Sequence, residues 1–293
     1  MACSSWCFGV LTLACLGQTN PSPPLIPDTF QLKWQLKQGD KFHQELVTQQ
    51  KSIFRVQGLL LQSGLQYRIL SSLSVEKMND DGSMDVKQKI EEANLLQADP
   101  LTQPLVLPQL KKMPGTVFTI HFNKNMEVTE FLSPPIQAAI GRNGLGLQMA
   151  SLLDRDGWKE MAEVSFFQPN RPLKAGSQWD RIISHSWGDF GKWTGKVHYR
   201  YEGKQKSLHK IGYVLKLAHE APKVGGENLV GKAAFQAQAA HGNIYFDADQ
   251  GKVLSAEERF HVKGVLEINL LGQKTPVEME EQQTFTLRLF GQK

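Results

Sequence analysis

The chain has 293 residues, enough for one large or two modest domains with a buried core. Hydrophobic residues make up 41% and charged residues 21% of it, which excludes a wholly disordered protein. Lys and Arg number 33 against 29 for Asp and Glu, and a net charge of +4 is too small to indicate a nucleic-acid-binding face. We therefore predict no nucleic-acid partner.

The N-terminal segment predicts export. Residues 6–17 form an apolar run that is shorter than the roughly 20 residues a membrane-spanning helix needs, and it has the length of the apolar part of a secretory signal. Small residues close the run and suit cleavage after Ala14 or after Gly17. The basic residues that usually open such a signal are absent, and a buried N-terminal strand or helix is the alternative. We assign residues 1–17 to a signal and expect the protein in the periplasm or cell envelope.

The cysteines allow a second form of this signal. Cys3, Cys7 and Cys15 all lie in the segment, so a processed chain would hold no disulfide framework. The four residues that end at Cys15 resemble the lipobox of bacterial lipoproteins, although Thr12 stands where Leu is usual. Cys15 is therefore a candidate for lipid attachment, and such an anchor would be the only membrane contact. The proline-rich residues 18–29 read as a stiff spacer.

The body of the chain has the two-residue period of β-strands. One face buried and one face in water is the pattern of antiparallel sheet. The turn at Asp81 and Gly82 separates two such runs, as in a hairpin. The apolar positions that define the later strands are Val197, Tyr199, Tyr201, Phe260, Val262, Leu266, Ile268, Leu270, Phe285, Leu287 and Leu289.

Two short matches divide the body into similar halves. Residues 36–42 (LKQGDKF) match residues 173–179 (LKAGSQW), and residues 120–123 (IHFN) match residues 244–247 (IYFD), each of the latter pair being followed by a valine. Both matches come in the same order. We predict a mainly β protein of two similar antiparallel lobes, either curved meanders or half-barrels. The lobes are assigned to residues 30–132 and 166–293.

A short helical insertion is predicted between the lobes, at residues 133–165. Ser133 is a suitable N-cap, and the apolar residues that follow recur at helical spacing with glycine interruptions, which favours two short helices. Residues 97–114 contain four prolines and are predicted to form an extended crossing.

No sequence motif indicates a common catalytic or cofactor chemistry. The chain has no HExxH, GxSxG or GxxxxGK[ST] segment, and we predict no cofactor. His185 with Asp189 could orient a base, although the glycines around them favour a hairpin turn. Asp247 and Asp249 are weak candidates for calcium ligands, and a polar turn between two strands is the alternative.

The second half has one stretch that is rich in large tryptophan side chains and another that is rich in small alanine side chains. The tryptophans at positions 158, 179, 187 and 193 would fill a core or, if exposed, form a sugar or lipid site. Residues 233–240 are mostly alanine, a poor strand former, and their small side chains would let another element or a ligand approach closely.

The opening L-K-x-G-[D/S]-x-[F/W] segments, the I-x-F-[D/N] strands and the exported N-terminus together resemble a family of exported bacterial envelope proteins of unknown function. The resemblance implies a β-rich body of two related halves and no catalytic residues. In architecture alone the chain is similar to envelope lipid carriers, whose half-open antiparallel barrels hold acyl chains.

The function that these patterns favour is non-catalytic binding of a lipid or another apolar envelope ligand. A structural or interaction role and an enzyme with a dispersed active site are the alternatives. An apolar cavity without converging ionisable groups would favour binding, and a cleft that joins His, Asp and Glu would favour catalysis. The predicted cleft residues are Leu145, Met149, Leu152 and Leu153, facing Leu266 and Ile268.

Overall fold

The structure is a computed structural model that describes residues 29–132, 155–169, 171–187, 190–221, 230–270 and 273–291. The predicted signal with Cys15, nearly all of the spacer, and residues 133–154 of the helical insertion lie outside these ranges.

The described residues form eleven strands and two helices. The first half contains β1 (Lys41–Val56), β2 (Leu59–Met78), β3 (Met84–Ala98), α1 (Gln103–Lys112), β4 (Val117–Phe122) and β5 (Val128–Leu132). The second half contains α2 (Arg155–Ser165), β6 (Gln178–Ser186), β7 (Lys192–Gln205), β8 (Leu208–Glu220), β9 (Val230–Asp247), β10 (Lys252–Leu270) and β11 (Gln273–Phe290).

All eleven strands belong to one open antiparallel sheet with the order β5-β4-β3-β2-β1-β11-β10-β9-β8-β7-β6. The predicted mainly β class with antiparallel meanders and an intervening helix is confirmed. The strands β1–β5 form one meander and β6–β10 form another, because consecutive strands are neighbours in each. Strand β11 pairs with both β10 and β1, so the meanders join edge to edge in a single sheet.

The two sequence matches fall at corresponding places in the two meanders. The N–H of Gly39, before β1, donates to the Val75 carbonyl at 2.8 Å, and the N–H of Gly176, before β6, donates to the Tyr201 carbonyl at 2.8 Å. Both glycines have φ near +90°, a conformation that disfavours any side chain. The second match covers the fourth strand of each meander, β4 and β9. A common origin of the halves stays a prediction.

The proline-rich segment between β3 and β4 holds helix α1, so the prediction of an extended crossing there is wrong. Pro104 lies in the first turn, where its missing N–H costs nothing. Pro108 forfeits one helical hydrogen bond further along. Val106 and Leu110, four residues apart, are buried on one face, and the helix contacts β3. Burial of this face outweighs the proline penalty.

Helix α2 fits the predicted helical insertion and lies inside the curve of the sheet. It contacts β5 and β6, the two edge strands, and also β10. The Trp158 side chain is 1% exposed and lies 5.0 Å from the Phe118 ring of β4. Because both edges of the eleven-stranded sheet reach one short helix, the sheet must curl around it. Neither helix in the described ranges is long and apolar enough to cross a membrane.

Candidate functional site: a cavity between α2 and the sheet

A cavity of ≈ 140 Å³ lies between α2 and the inner face of β6, β7, β8, β10 and β11. Most of its wall is apolar. The aliphatic side chains in the wall are Met161, Val164, Ile183, Val197, Leu215 and Leu217. The wall also contains the rings of two tryptophans and two phenylalanines, Trp187, Trp193, Phe260 and Phe285. An engineered cavity of about 150 Å³ with a similar lining holds benzene, so this volume suits one aromatic ring.

The tryptophans at positions 187 and 193 are both 4% exposed, so they belong to the interior. This agrees with the core interpretation of the tryptophan cluster. Both side chains also form part of the cavity wall. Trp187 and Trp193 therefore belong to the core and could also contact a ligand in the cavity.

Ionisable side chains enter the same wall from α2, β6, β7, β8, β10 and β11. They are Glu160, Glu163, Arg181, His185, Tyr199, Tyr213, Glu258 and Glu281. The cavity is thus neither purely apolar nor a simple cleft of His, Asp and Glu. It combines an apolar wall with several polar groups, which is the usual composition of a small-molecule site.

Three acidic side chains attach α2 to the edge strand β6. Their spacings of four and three residues place them on one face of the helix. Asp156 Oδ2 accepts the backbone N–H of Ser186 at 3.0 Å, Glu160 Oε1 lies 3.0 Å from His185 Nδ1, and Glu163 forms an ion pair with Arg181. Burial raises the pKa of Glu163, and the Arg181 charge opposes that rise. These contacts hold one wall of the cavity in place.

Glu258 projects from β10 and is the most perturbed carboxyl group of the cavity. Burial raises its pKa to about 8, although a 2.9 Å hydrogen bond from Tyr213 Oη to Glu258 Oε2 favours the ionised form. The nearby Glu160 charge raises the pKa further, and His185 lowers it. Glu258 is therefore predominantly protonated and neutral at pH 7.

Glu281 projects from β11 into another part of the wall and is 2% exposed. Burial raises its pKa to about 7, while hydrogen bonds from Gln50 and Ser52 lower it. The Ser52 hydroxyl donates to Glu281 Oε2 at 3.3 Å. Gln283, two residues along β11, has a buried Nε2 that bonds to no group in the described ranges. The cavity therefore contains unused hydrogen-bonding capacity.

Gly242 of β9 makes the Tyr213–Glu258 contact possible. It is the direct partner of Tyr213 in β8 and of Glu258 in β10. A Cβ atom on Gly242 would lie 2.4 Å from Tyr213 Oη and 2.4 Å from the Glu257 carbonyl oxygen. The tyrosine ring therefore lies across the glycine to reach a carboxyl group two strands away. Gly242 lies two residues beyond the alanine-rich residues 233–240, so this contact is separate from the close approach expected at that stretch, which stays a prediction.

The structure places only two of the six predicted cleft residues, and neither of these two lines this cavity. Leu145, Met149, Leu152 and Leu153 lie outside the described residues. Leu266 and Ile268 are further along β10 than Phe260 and form no part of this wall. They pack in a second apolar cluster, in which Leu266 is 1% exposed and Ile268 is partly buried. Other members of that cluster are Phe54, Trp187, Trp193, Phe235, Val277 and Met279.

Asp247 and Asp249 lie in the turn between β9 and β10. Asp247 Oδ1 accepts the backbone N–H groups of Asp249 and Gln250, each at 2.9 Å. Asp247 Oδ2 accepts the Gln250 side-chain amide at 2.8 Å. Both oxygens of Asp247 thus stabilise the turn. In the part of the chain that the structure describes, no three His, Cys, Asp or Glu side chains are grouped to hold a metal.

The sequence analysis missed Glu258, Glu281 and the two tyrosines as site residues. The burial of the two carboxyl groups could have been predicted from the apolar–polar alternation of β10 and β11. Extending the apolar phase of β10 back from Phe260 by two residues reaches Glu258, and extending that of β11 back from Phe285 by four reaches Glu281. A glutamate at an apolar-phase position of a strand indicates a buried carboxyl group.

Comparison with known proteins identifies no family. No family model and no curated protein matches the chain. A solved structure described as "Lipid-protein interactions in lipovitellin" is similar over 88% of this chain, with 12% sequence identity and a TM-score of 0.48. This chain covers 26% of that one. A likeness of this size does not establish a shared fold or function, and the resemblance to exported envelope proteins finds no support in these comparisons.

We expect Gly242→Ala to lower the free energy of unfolding by about 2–3 kcal/mol, because its Cβ would collide with Tyr213 and the Glu257 carbonyl. Urea denaturation measures the change. Gly64→Ala in β2 is the matched control, since a Cβ there meets no atom within 4 Å. That variant should be as stable as the wild type or slightly more so. Equal stabilities for the two variants would contradict the proposed close approach.

We expect the free energy of unfolding to fall between pH 5 and pH 8. The folded Glu258 has a pKa of about 8 and its unfolded value is about 4.3, so the folded state holds an extra proton in this window. Stability is therefore highest at low pH and is lost as the pH rises, by up to about 1.4 kcal/mol per pH unit from this group. Glu258→Gln should reduce the slope measured by urea denaturation, and Glu281, whose folded pKa is about 7, should account for slope that remains below pH 7.

Glu257→Gln is the control for this pH series, because Glu257 is the exposed neighbour on the outer face of β10. It should retain the wild-type slope. A wild-type slope in Glu258→Gln as well would show that Glu258 does not bind the extra proton.

Proposed function

We propose that this protein binds a small apolar molecule in the cavity beneath α2 and does not transform it. One observation carries the proposal: a cavity of ≈ 140 Å³ is walled mainly by aliphatic and aromatic side chains, with a few polar groups among them. The N-terminal pattern supports export of the protein to the cell envelope, where such a ligand would be met.

The volume narrows the ligand class. Sites for drug-sized molecules are about 300–1,000 Å³, whereas this cavity is ≈ 140 Å³. One ring or a short branched chain fills this volume, whereas a long acyl chain would extend beyond it. The expectation of a general apolar ligand is therefore refined to a compact one.

An enzyme with a dispersed active site is the second candidate, and Glu258 is the observation that favours it. A carboxyl group with a pKa of about 8 is protonated at neutral pH and has the form required of a general acid. Binding is the better-supported function because the other charged groups pair with each other, Glu163 with Arg181 and Glu160 with His185. These pairs build the wall, and the apolar surface dominates.

Benzyl alcohol, a neutral single-ring probe, tests the proposal by isothermal titration calorimetry. Leu215→Trp would fill the cavity and should weaken binding at least tenfold. Val214→Trp is the matched control, because Val214 is the adjacent residue on the outer face of β8 and is 47% exposed. It should bind like the wild type. Circular dichroism establishes that both variants are folded.

Native mass spectrometry of protein purified from its host would identify a co-purifying compact molecule. Recovery of that molecule unchanged after incubation supports binding, and its conversion supports the enzyme. Failure of the wild type both to bind any single-ring probe and to retain any molecule from its host would contradict the proposal and favour the structural role.

A further inference from the structure

The charges around the cavity are unbalanced. Four carboxyl groups, Glu160, Glu163, Glu258 and Glu281, face one arginine and one histidine. Arg181 pairs with Glu163, and His185 pairs with Glu160. Across the described ranges, no cationic side chain forms a salt bridge with Glu258 or Glu281. Glu281 is buried and Glu258 is half-buried, and both carboxyl groups are stabilised by hydrogen bonds and by protonation instead.

Glu258 and Glu160 approach the cavity from opposite sides. Glu258 comes from β10 and Glu160 from α2. The negative charge of each raises the pKa of Tyr213, a residue of β8, so all three side chains lie close together. The groups that face Glu258 are Tyr213 from β8, Tyr199 from β7, Glu160 from α2 and His185 from β6. A positive charge placed between the two carboxyl groups would be attracted to both of them. It would give Glu258 a counterion that no described cationic side chain supplies, and Glu160 would share its charge between this cation and His185.

Aromatic rings lie beside this acidic end. Phe260 follows Glu258 by two residues and therefore lies on the same face of β10. The Trp193 ring is 5.8 Å from Phe260 at nearly a right angle, and it is 5.8 Å from Trp187. Aromatic faces attract organic cations as well as apolar groups. Aromatic rings beside Glu258, a carboxyl group without a cationic partner in the described ranges, form the chemistry that recognises an amine with an apolar body.

We propose that the ligand of this cavity is an organic cation about the size of one aromatic ring, with its ammonium group between Glu258 and Glu160 and its apolar body against Trp187, Trp193 and Phe260. This inference rests on the proposed binding function and specifies its ligand class. Binding releases one proton: the ammonium group stays charged, the Glu258 carboxyl group becomes a carboxylate, and its proton goes to solvent. A carboxylate ligand is rejected, since it would face Glu258 and Glu160 while Arg181 is occupied by Glu163.

Three probes of matched shape test the ligand class: benzylamine, benzyl alcohol and benzoate. Isothermal titration calorimetry at pH 7 should show benzylamine binding at least tenfold more tightly than benzyl alcohol, with benzoate binding least. Titrations in two buffers of different ionisation enthalpy should reveal release of up to about one proton per benzylamine at pH 7. The release should fall to about half a proton at pH 8, where Glu258 is already half ionised and benzylamine is still an ammonium ion. Benzyl alcohol should release none.

Glu258→Gln should weaken benzylamine binding tenfold or more and reduce its preference over benzyl alcohol to near one. Glu257→Gln, on the outer face, should keep the wild-type preference. The proton release by the wild-type protein tests the inference even if Glu258→Gln fails to fold. Equal affinities for benzylamine and benzyl alcohol, or tighter binding of benzoate, would overturn the inference and leave the binding function intact. Binding of none of the probes would overturn both.

Discussion

The apolar inner face of one open sheet has to be shielded from water, and the rest of the structure depends on how this is done. The two edge strands, β5 and β6, stand at opposite ends of an eleven-strand order, yet both contact α2. The helix meets this requirement with two different faces. Its apolar face, with Trp158, packs against the first meander, and its acidic face binds β6 through side-chain contacts. The cavity lies where this single helix does not fill the curve of the sheet.

Partial burial of the Glu258 side chain links the fold to the chemistry of the cavity. Glu258 is predominantly neutral at pH 7 because α2 and the surrounding strands remove much of it from solvent, which raises its pKa. The Tyr213 hydroxyl reaches it only because Gly242 leaves room for the ring to cross β9. Because Gly242 of β9 has no side chain, Tyr213 of β8 can donate a hydrogen bond to Glu258 of β10. The polarity and the shape of the cavity depend on the same three strands.

Much of the fold follows from local sequence patterns. The two-residue alternation predicts the antiparallel strands, and the glycine turns before β1 and β6 are alike in both sequence and hydrogen bonding. Helix α1 was missed because its prolines argue locally against a helix, while burial of Val106 and Leu110 is a tertiary effect. The cavity could not be predicted for a similar reason. It depends on the register of β8, β9 and β10 and on the contact of α2 with β6, which join residues far apart in the chain.

The protonation state of Glu258 in the free protein tests the central claim most directly. Carbon-13 NMR of the glutamate side-chain carboxyl groups, with Glu258→Gln to assign the signal, would follow its titration. Desolvation of Glu258 in the cavity wall predicts a midpoint of about 8, with the neutral acid predominant at pH 7. A midpoint close to the ordinary glutamate value of about 4.3 would show that Glu258 is fully in water and that the amphipathic cavity does not exist in solution.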